Sequence, residues 1–225
     1  MTKHEIARLI DISAVRADST LKEVNEVIEA AKQHDFICVF AMPSMVDNIS
    51  KQMRQMPSVL CGGVVGFPSG SETTACKVFQ AYELIYKGCD EIDMVINIGK
   101  LKSGLLDEVR EDILKVKEAV LTIPLKVIIE VALLTDEEIV TASKIVMECG
   151  ATFVKTGTGW AGATTMHHVK LIKQTVGDNI LVKVAGGVRD LDTLLEMHSL
   201  GVSRFGIGYN SALEIMKQAE KNDKL

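Results

Sequence analysis

The sequence predicts an α/β protein closed into a single (β/α)8 barrel of the TIM-barrel type. Three observations carry that expectation. Short apolar runs alternate with longer helical patterns along all 225 residues, which implies a mainly parallel sheet. Eight such repeats in this length suit a closed barrel better than an open sheet. The composition is 47% hydrophobic but only 4% aromatic, the aliphatic filling that parallel strands need when both faces are covered.

In chain order, strands are expected near 8–13 (RLIDIS), 37–42 (ICVFAM) and 59–66 (VLCGGVVG). Thr73 to Lys87 then reads as a helix, because Val78, Ala81, Leu84 and Ile85 share one face, and Gly88 follows it as a C-terminal glycine. A fourth strand near 91–97 (EIDMVIN) precedes a helix over 105–121, whose stripe is Leu106, Val109, Ile113, Val116 and Val120. The fifth strand is expected near 126–132 (KVIIEVA), and Thr135 caps the next helix ahead of Asp136-Glu137-Glu138, with Gly150 at its end. Strand six lies near 152–156 (TFVKT), with Thr164 as a further N-cap. The last two strands lie near 180–185 (ILVKVA) and 203–207 (SRFGI), with Gly201 between them. No Pro/Gly/Ser-rich stretch divides the chain, so residues 1–225 read as one domain. An open doubly wound sheet is the alternative, but its G-x-G-x-x-G turn after the first strand is absent.

A formal charge of −5 and a pI of about 5.6 argue against a nucleic-acid surface. A small anionic substrate needs only a local positive field. No apolar run approaches the roughly 18–20 residues of a membrane span, and Met1-Thr2-Lys3-His4-Glu5 lacks the apolar stretch of a secretory signal. Cys38, Cys61, Cys76, Cys89 and Cys149 are odd in number, scattered and without a C-x-x-C pair. They read as reduced thiols of a cytoplasmic protein. His167 and His168 are adjacent, so on a helix they diverge by about 100° and chelate poorly; no metal is expected.

Three charged residues interrupt apolar strands: Asp93, Lys155 and Lys183. Such groups are rarely buried unless paired or functional. One Asp–Lys pair holding the barrel together is the competing structural explanation, but two lysines at successive strand ends exceed what one aspartate needs. Two ammonium groups about 5 Å apart repel by about 3 kcal/mol at an effective dielectric near 20, enough to lower one lysine from about 10.4 toward about 8. A neutral amine is what attacks a carbonyl to form an imine, and a nearby carboxylate can move the protons.

Glycine-rich turns form a second group. Ala185-Gly186-Gly187-Val188-Arg189-Asp190 follows strand seven, and Gly206-Ile207-Gly208-Tyr209-Asn210 runs out of strand eight. Backbone amides in such turns, with a helix N-terminus behind them, suit phosphate. Thr158 and Gly159 after strand six could add a wall to the same pocket.

With those residues in place, the chain resembles the deoxyribose-phosphate aldolase family over almost its full length. The resemblance rests on Glu91-Ile92-Asp93-Met94-Val95-Ile96-Asn97-Ile98-Gly99, Phe153-Val154-Lys155-Thr156-Gly157-Thr158-Gly159 and Lys183-Val184-Ala185-Gly186-Gly187-Val188-Arg189. Gly66-Phe67-Pro68-Ser69-Gly70 and Leu133-Leu134-Thr135-Asp136 also match. It implies a class I aldolase that reversibly cleaves 2-deoxy-D-ribose 5-phosphate to acetaldehyde and D-glyceraldehyde 3-phosphate, without metal or organic cofactor. By the same resemblance, Lys155 forms the imine, Lys183 tunes it, and Asp93 serves as acid and base. The glycines 186, 187, 206 and 208, with Thr158 and Gly159, are expected to bind substrate. Self-association is also implied, although no interface can be read from the sequence.

Several positions depart from the family pattern. The serines usual after strand eight are replaced in Ile207-Gly208-Tyr209-Asn210, and the serine after the Lys-Thr pair is Gly157. The loop Trp160-Ala161-Gly162-Ala163-Thr164 looks shorter than in some members. Phe40-Ala41-Met42-Pro43 stands for Cys-Val-Asn-Pro, and Ile12-Ser13-Ala14 for His-Thr-Leu. Lys224-Leu225 lacks the family's C-terminal tyrosine. A lysine aldolase using another aldehyde and a non-catalytic sugar-phosphate-binding barrel therefore remain alternatives. Trp160 reads equally as a pocket wall or as a cover for the barrel rim.

Overall fold

The computed structural model describes residues 1–222, so Lys224 and Leu225 lie outside the described residues. Eight parallel strands close into a barrel in chain order. They are β1 (Ile10–Ala14), β2 (Cys38–Ala41), β3 (Leu60–Val65), β4 (Glu91–Val95), β5 (Leu125–Ile128), β6 (Phe153–Lys155), β7 (Leu181–Ala185) and β8 (Arg204–Gly208). β8 pairs back onto β1, with Asp11 opposite Gly206. A closed sheet leaves no edge to protect.

The helices are α1 (Lys3–Ala7), α2 (Leu21–His34), α3 (Val46–Met53), α4 (Thr74–Tyr86), α5 (Ile98–Lys102), α6 (Leu106–Val120), α7 (Asp136–Glu148), α8 (Met166–Val176), α9 (Leu191–Ser199) and α10 (Tyr209–Asn222). Their apolar stripes bury against the strands: Val109, Ile113, Val116 and Val120 of α6 are all inside. Thr135 caps α7 in a reciprocal box with Glu138, satisfying two amides that the helix start leaves free. Gly88, Gly150 and Gly201 take positive φ after α4, α7 and α9. Among the described residues, no helix is long and apolar enough to cross a membrane. All five cysteines are free, and only Cys76 is exposed.

Two local expectations are corrected. The fifth strand stops at Ile128 rather than running to residue 132. Glu130 takes a left-handed conformation (φ 59°), and Val131–Leu133 forms a 3-10 turn. The apolar run continues past the strand, with Val131 buried but Ala132 and Leu133 exposed. The cap of α8 is Thr165, not Thr164. Thr164 turns inward instead, its hydroxyl 2.7 Å from that of Thr156 and donating to Ala185 O at 2.9 Å.

Candidate active site

Strand register brings the charged residues together. Lys155 of β6 lies beside Lys183 of β7, Lys183 beside Arg204 of β8, and Asp93 of β4 beside Lys126 of β5. Lys155 Nζ and Lys183 Nζ each donate to the same oxygen, Asp93 Oδ2, at 2.7 Å. The two nitrogens are thus within twice that distance of each other, as the strand-end reading requires. All three side chains are buried.

The three residues singled out in the sequence are part of a larger set. Lys183 also lies 2.6 Å from Asp11 Oδ2, an ion pair without hydrogen-bond alignment. Arg204 donates to Asp11 at 2.7 Å and to Glu91 at 3.2 Å. Lys126 donates to Glu91 and lies 3.2 Å from Asp93 Oδ1. Four cationic side chains therefore face three carboxylates. The cluster carries one surplus positive charge while Lys155 is an ammonium and balances when Lys155 is neutral.

Burial is the first cause that pulls Lys155 down, to about 8. Lys183 and Lys126 push the same way, while Asp93 opposes them. This corrects the sequence argument, in which lysine–lysine repulsion alone produced a similar value. Burial alone would raise the Asp93 carboxyl, but Lys126, Lys155 and Lys183 outweigh it and hold Asp93 well below the usual carboxylate range. Lys183 is held by two carboxylates and Lys155 by one.

Asp11, Cys38 and Glu91 lie close enough together to suggest a metal. The donors do not fit one: both carboxylates already hold Arg204 or Lys126, and burial pushes the Cys38 thiol well up, away from the thiolate a metal needs.

A cavity of about 900 Å³ opens over the C-terminal ends of the strands, where barrels of this kind carry their chemistry. Lys155 and Lys183 reach its floor, and Thr158, Gly159, Gly186, Gly187, Gly206 and Gly208 all line it. Asp93 does not line it; the carboxylate lies behind the two lysines, with no exposed surface. Gly186 and Gly187 have φ of 87° and 93°, and a side chain on Gly187 would come within 2.7 Å of Ala163 Cβ. That turn needs glycine for its backbone as well as for access.

Sequence reasoning missed Asp11, Glu91, Lys126 and Arg204 because each sits in a run otherwise apolar enough to read as strand. Their signal was present: a charge in every such run. Glu130 was missed inside the misread strand. It is buried and accepts from Thr158 N at 3.2 Å and from the Thr158 hydroxyl, which fixes the loop after β6. It also explains Gly157, where a Cβ would lie 2.8 Å from Glu130 Oε1. The glycine turn expected after strand eight is not formed: Gly206 and Gly208 belong to β8, which runs directly into α10, and Tyr209, Asn210 and Ser211 at the helix start all line the cavity. Trp160 is half exposed at the rim and also lines the cavity; its Nε1 donates to Val15 O at 3.1 Å, and its ring meets Phe67 edge-on at 6.0 Å.

Comparison with known proteins agrees with this architecture. The DeoC/LacD family aldolase model covers residues 6–210. The chain belongs to the DeoC/LacD aldolase family. A deoxyribose-phosphate aldolase of Sinorhizobium medicae is 48% identical over 97% of this chain and 88% of its own. One from Rhizobium meliloti is 46% identical over the same shares. Among solved structures, the aldolase QR15 superposes with a TM-score of 0.91 at 32% identity, covering 98% of both chains. The loop changes noted above are therefore variations within this aldolase family, on an unchanged barrel.

Proposed function

We propose that this aldolase reversibly cleaves 2-deoxy-D-ribose 5-phosphate to acetaldehyde and D-glyceraldehyde 3-phosphate through an imine on Lys155. The observation that carries the reading is the pair of lysines sharing one oxygen of Asp93 at the cavity floor, with Lys155 near 8. In its neutral form, Lys155 Nζ adds to C1 of the open-chain sugar, and the carbinolamine loses water to leave a protonated imine. Removal of the C3 hydroxyl proton lets the C2–C3 bond break. Its electron pair moves into an enamine on Lys155, and C3 becomes the aldehyde of the departing three-carbon phosphate. Protonation at C2 and hydrolysis then release acetaldehyde and free the amine.

Asp93 is covered by the lysines and held ionised, so protons reach the substrate through Lys183 or Lys155, which it aligns, rather than from Asp93 itself. The amides of the turn at Gly186 and Gly187 and of the junction from Gly208 of β8 into α10 take the 5-phosphate. Gly206 within β8 keeps the cavity open beside them, and the loop holding Thr158 and Gly159 closes one side. Arg189 on the cavity wall adds positive charge beside the Gly186–Gly187 turn, while Arg16 and Lys22 there are paired with Asp18, Glu23 and Glu26. A reducing, cytoplasmic setting accords with five free thiols.

The test is to incubate the protein with acetaldehyde and borohydride and to map the added mass. Label on Lys155 is the expected result; its absence removes the imine mechanism. Cleavage of deoxyribose and of its 5-phosphate is then compared. Equal kcat/KM on both would favour a second reading, a lysine aldolase for a non-phosphorylated aldehyde. The apolar rim of Trp160 and Phe67 is the observation that supports it.

A further inference from the structure

Phe40 is a side chain in the barrel mouth that the mechanism above does not use. Its ring faces three ammonium groups at once: Lys183 Nζ lies 4.2 Å from the centroid, Lys126 Nζ 4.9 Å and Lys155 Nζ 6.0 Å. The face of an aromatic ring carries negative charge density, and its attraction for a cation fades over this range. The nearest ammonium therefore gains most and the farthest least.

Two further observations separate this ring from ordinary core filling. Phe40 lies outside the main hydrophobic core, in a small group with Cys38 and Val64. Its slot is also built for it. Phe40 pairs with Gly62 across β2 and β3, and a Cβ on Gly62 would come within 2.3 Å of the ring. The glycine lets the ring lie across the neighbouring strand, beneath the lysines, where it lines the cavity floor.

We propose that Phe40 is a positioning residue that selects which lysine forms the imine: its ring face favours the ammonium on Lys183 and leaves Lys155 as the attacking amine. The proposal rests on the imine reading above and adds to it the cause of the choice. Asp11 and Asp93 hold Lys183 from one side, and the ring holds it from another. Lys155 has Asp93 alone and stands at the edge of the ring's reach.

The experiment traps the imine with acetaldehyde and borohydride in the full-length protein and measures how the label divides between Lys155 and Lys183. In the trapping step, Nζ adds to the aldehyde carbon, water leaves, and borohydride delivers hydride to the imine carbon. Wild type should carry the label on Lys155. Phe40→Leu keeps an apolar side chain but removes the ring face, and should raise the share on Lys183 about tenfold. Phe40→Tyr keeps the ring and should restore the wild-type division. Gly62→Ala leaves Phe40 in the chain but displaces its ring, and should redistribute label in the same direction; it serves as the test if Phe40→Leu does not fold. Label that stays on Lys155 alone in a folded Phe40→Leu or Gly62→Ala protein overturns the proposal. Wild-type protein with no label on Lys155 would instead sink the imine reading itself, and the selection role with it.

Discussion

Lys155 reaches a carbonyl only as the free amine, and its burial decides how much free amine there is. Near 8, about a tenth of Lys155 is neutral at pH 7, against well under 1% for an ordinary lysine. Because the neutral form is the one that reacts, the rate of imine trapping should rise about tenfold per pH unit below 8 and level off above it. A profile still climbing steeply at pH 10 would mean that Lys155 is not depressed. Asp93→Asn separates two roles of one carboxylate. The amide carries no charge to hold and align the two lysines that move protons, so turnover of the sugar phosphate should fall by about 10²–10⁴-fold. Asp93 is also the group that raises Lys155, so the trapping midpoint should move to lower pH. Turnover measured beside the trapping profile checks both, and unchanged turnover would remove Asp93 from proton transfer.

At the scale of single elements, the turn between β7 and α9 depends on two glycines in the left-handed region. Gly187→Ala both strains that backbone and drives a methyl into Ala163. If this turn binds the phosphate, KM for the 5-phosphate should rise by about tenfold or more, a loss of about 1.4 kcal/mol, while KM for free deoxyribose stays near its wild-type value. A proportional loss on both substrates would indicate general damage to the barrel mouth. Gly208→Ser is the contrasting change. A Cβ at Gly208 meets nothing within 4 Å and its φ is not in the left-handed region, so the variant should melt at the wild-type temperature. A marked drop on calorimetry would show that the end of β8 is packed more tightly than its geometry indicates.

Across the whole molecule, the barrel is plugged with charge where aliphatic layers would usually fill it. Arg204, Lys126, Asp11 and Glu91 lie beneath the two active-site lysines and are all buried. Removing one partner from such a network strands the others. Arg204→Met should destabilise the protein by roughly 3–5 kcal/mol, because Asp11 and Glu91 lose a shared cation. Urea unfolding measures this directly, and a change below about 1 kcal/mol would show that water or the remaining lysine compensates. The network also sets the charge state above it, because Lys126 contributes to lowering both Asp93 and Lys155.

The periodic features were legible in the sequence because they depend on near neighbours. All eight strands, the α6 stripe, the Thr135 cap and the glycine stops follow from local repeats and local hydrogen bonds. The proposed catalytic trio was visible too, because Asp93, Lys155 and Lys183 are charges in apolar runs. Asp11, Glu91, Lys126 and Arg204 carry the same signal, and only the closed barrel tells the two groups apart. What the sequence left open depends on distant partners. The 3-10 turn after Ile128 is as apolar as a strand, and only the hydrogen bonds from Thr158 show that Glu130 supports the loop after β6. Asp11 and Glu91 pair with Arg204, which lies 193 residues from Asp11, and Lys126 meets Asp93 only across the sheet. The cause of the lowered Lys155 was likewise tertiary, because desolvation requires the closed barrel. The sequence alone determined the barrel and marked Lys155 as the lysine proposed for its chemistry. Closure of the sheet decided which charges meet, which are dry, and therefore which lysine can give up its proton.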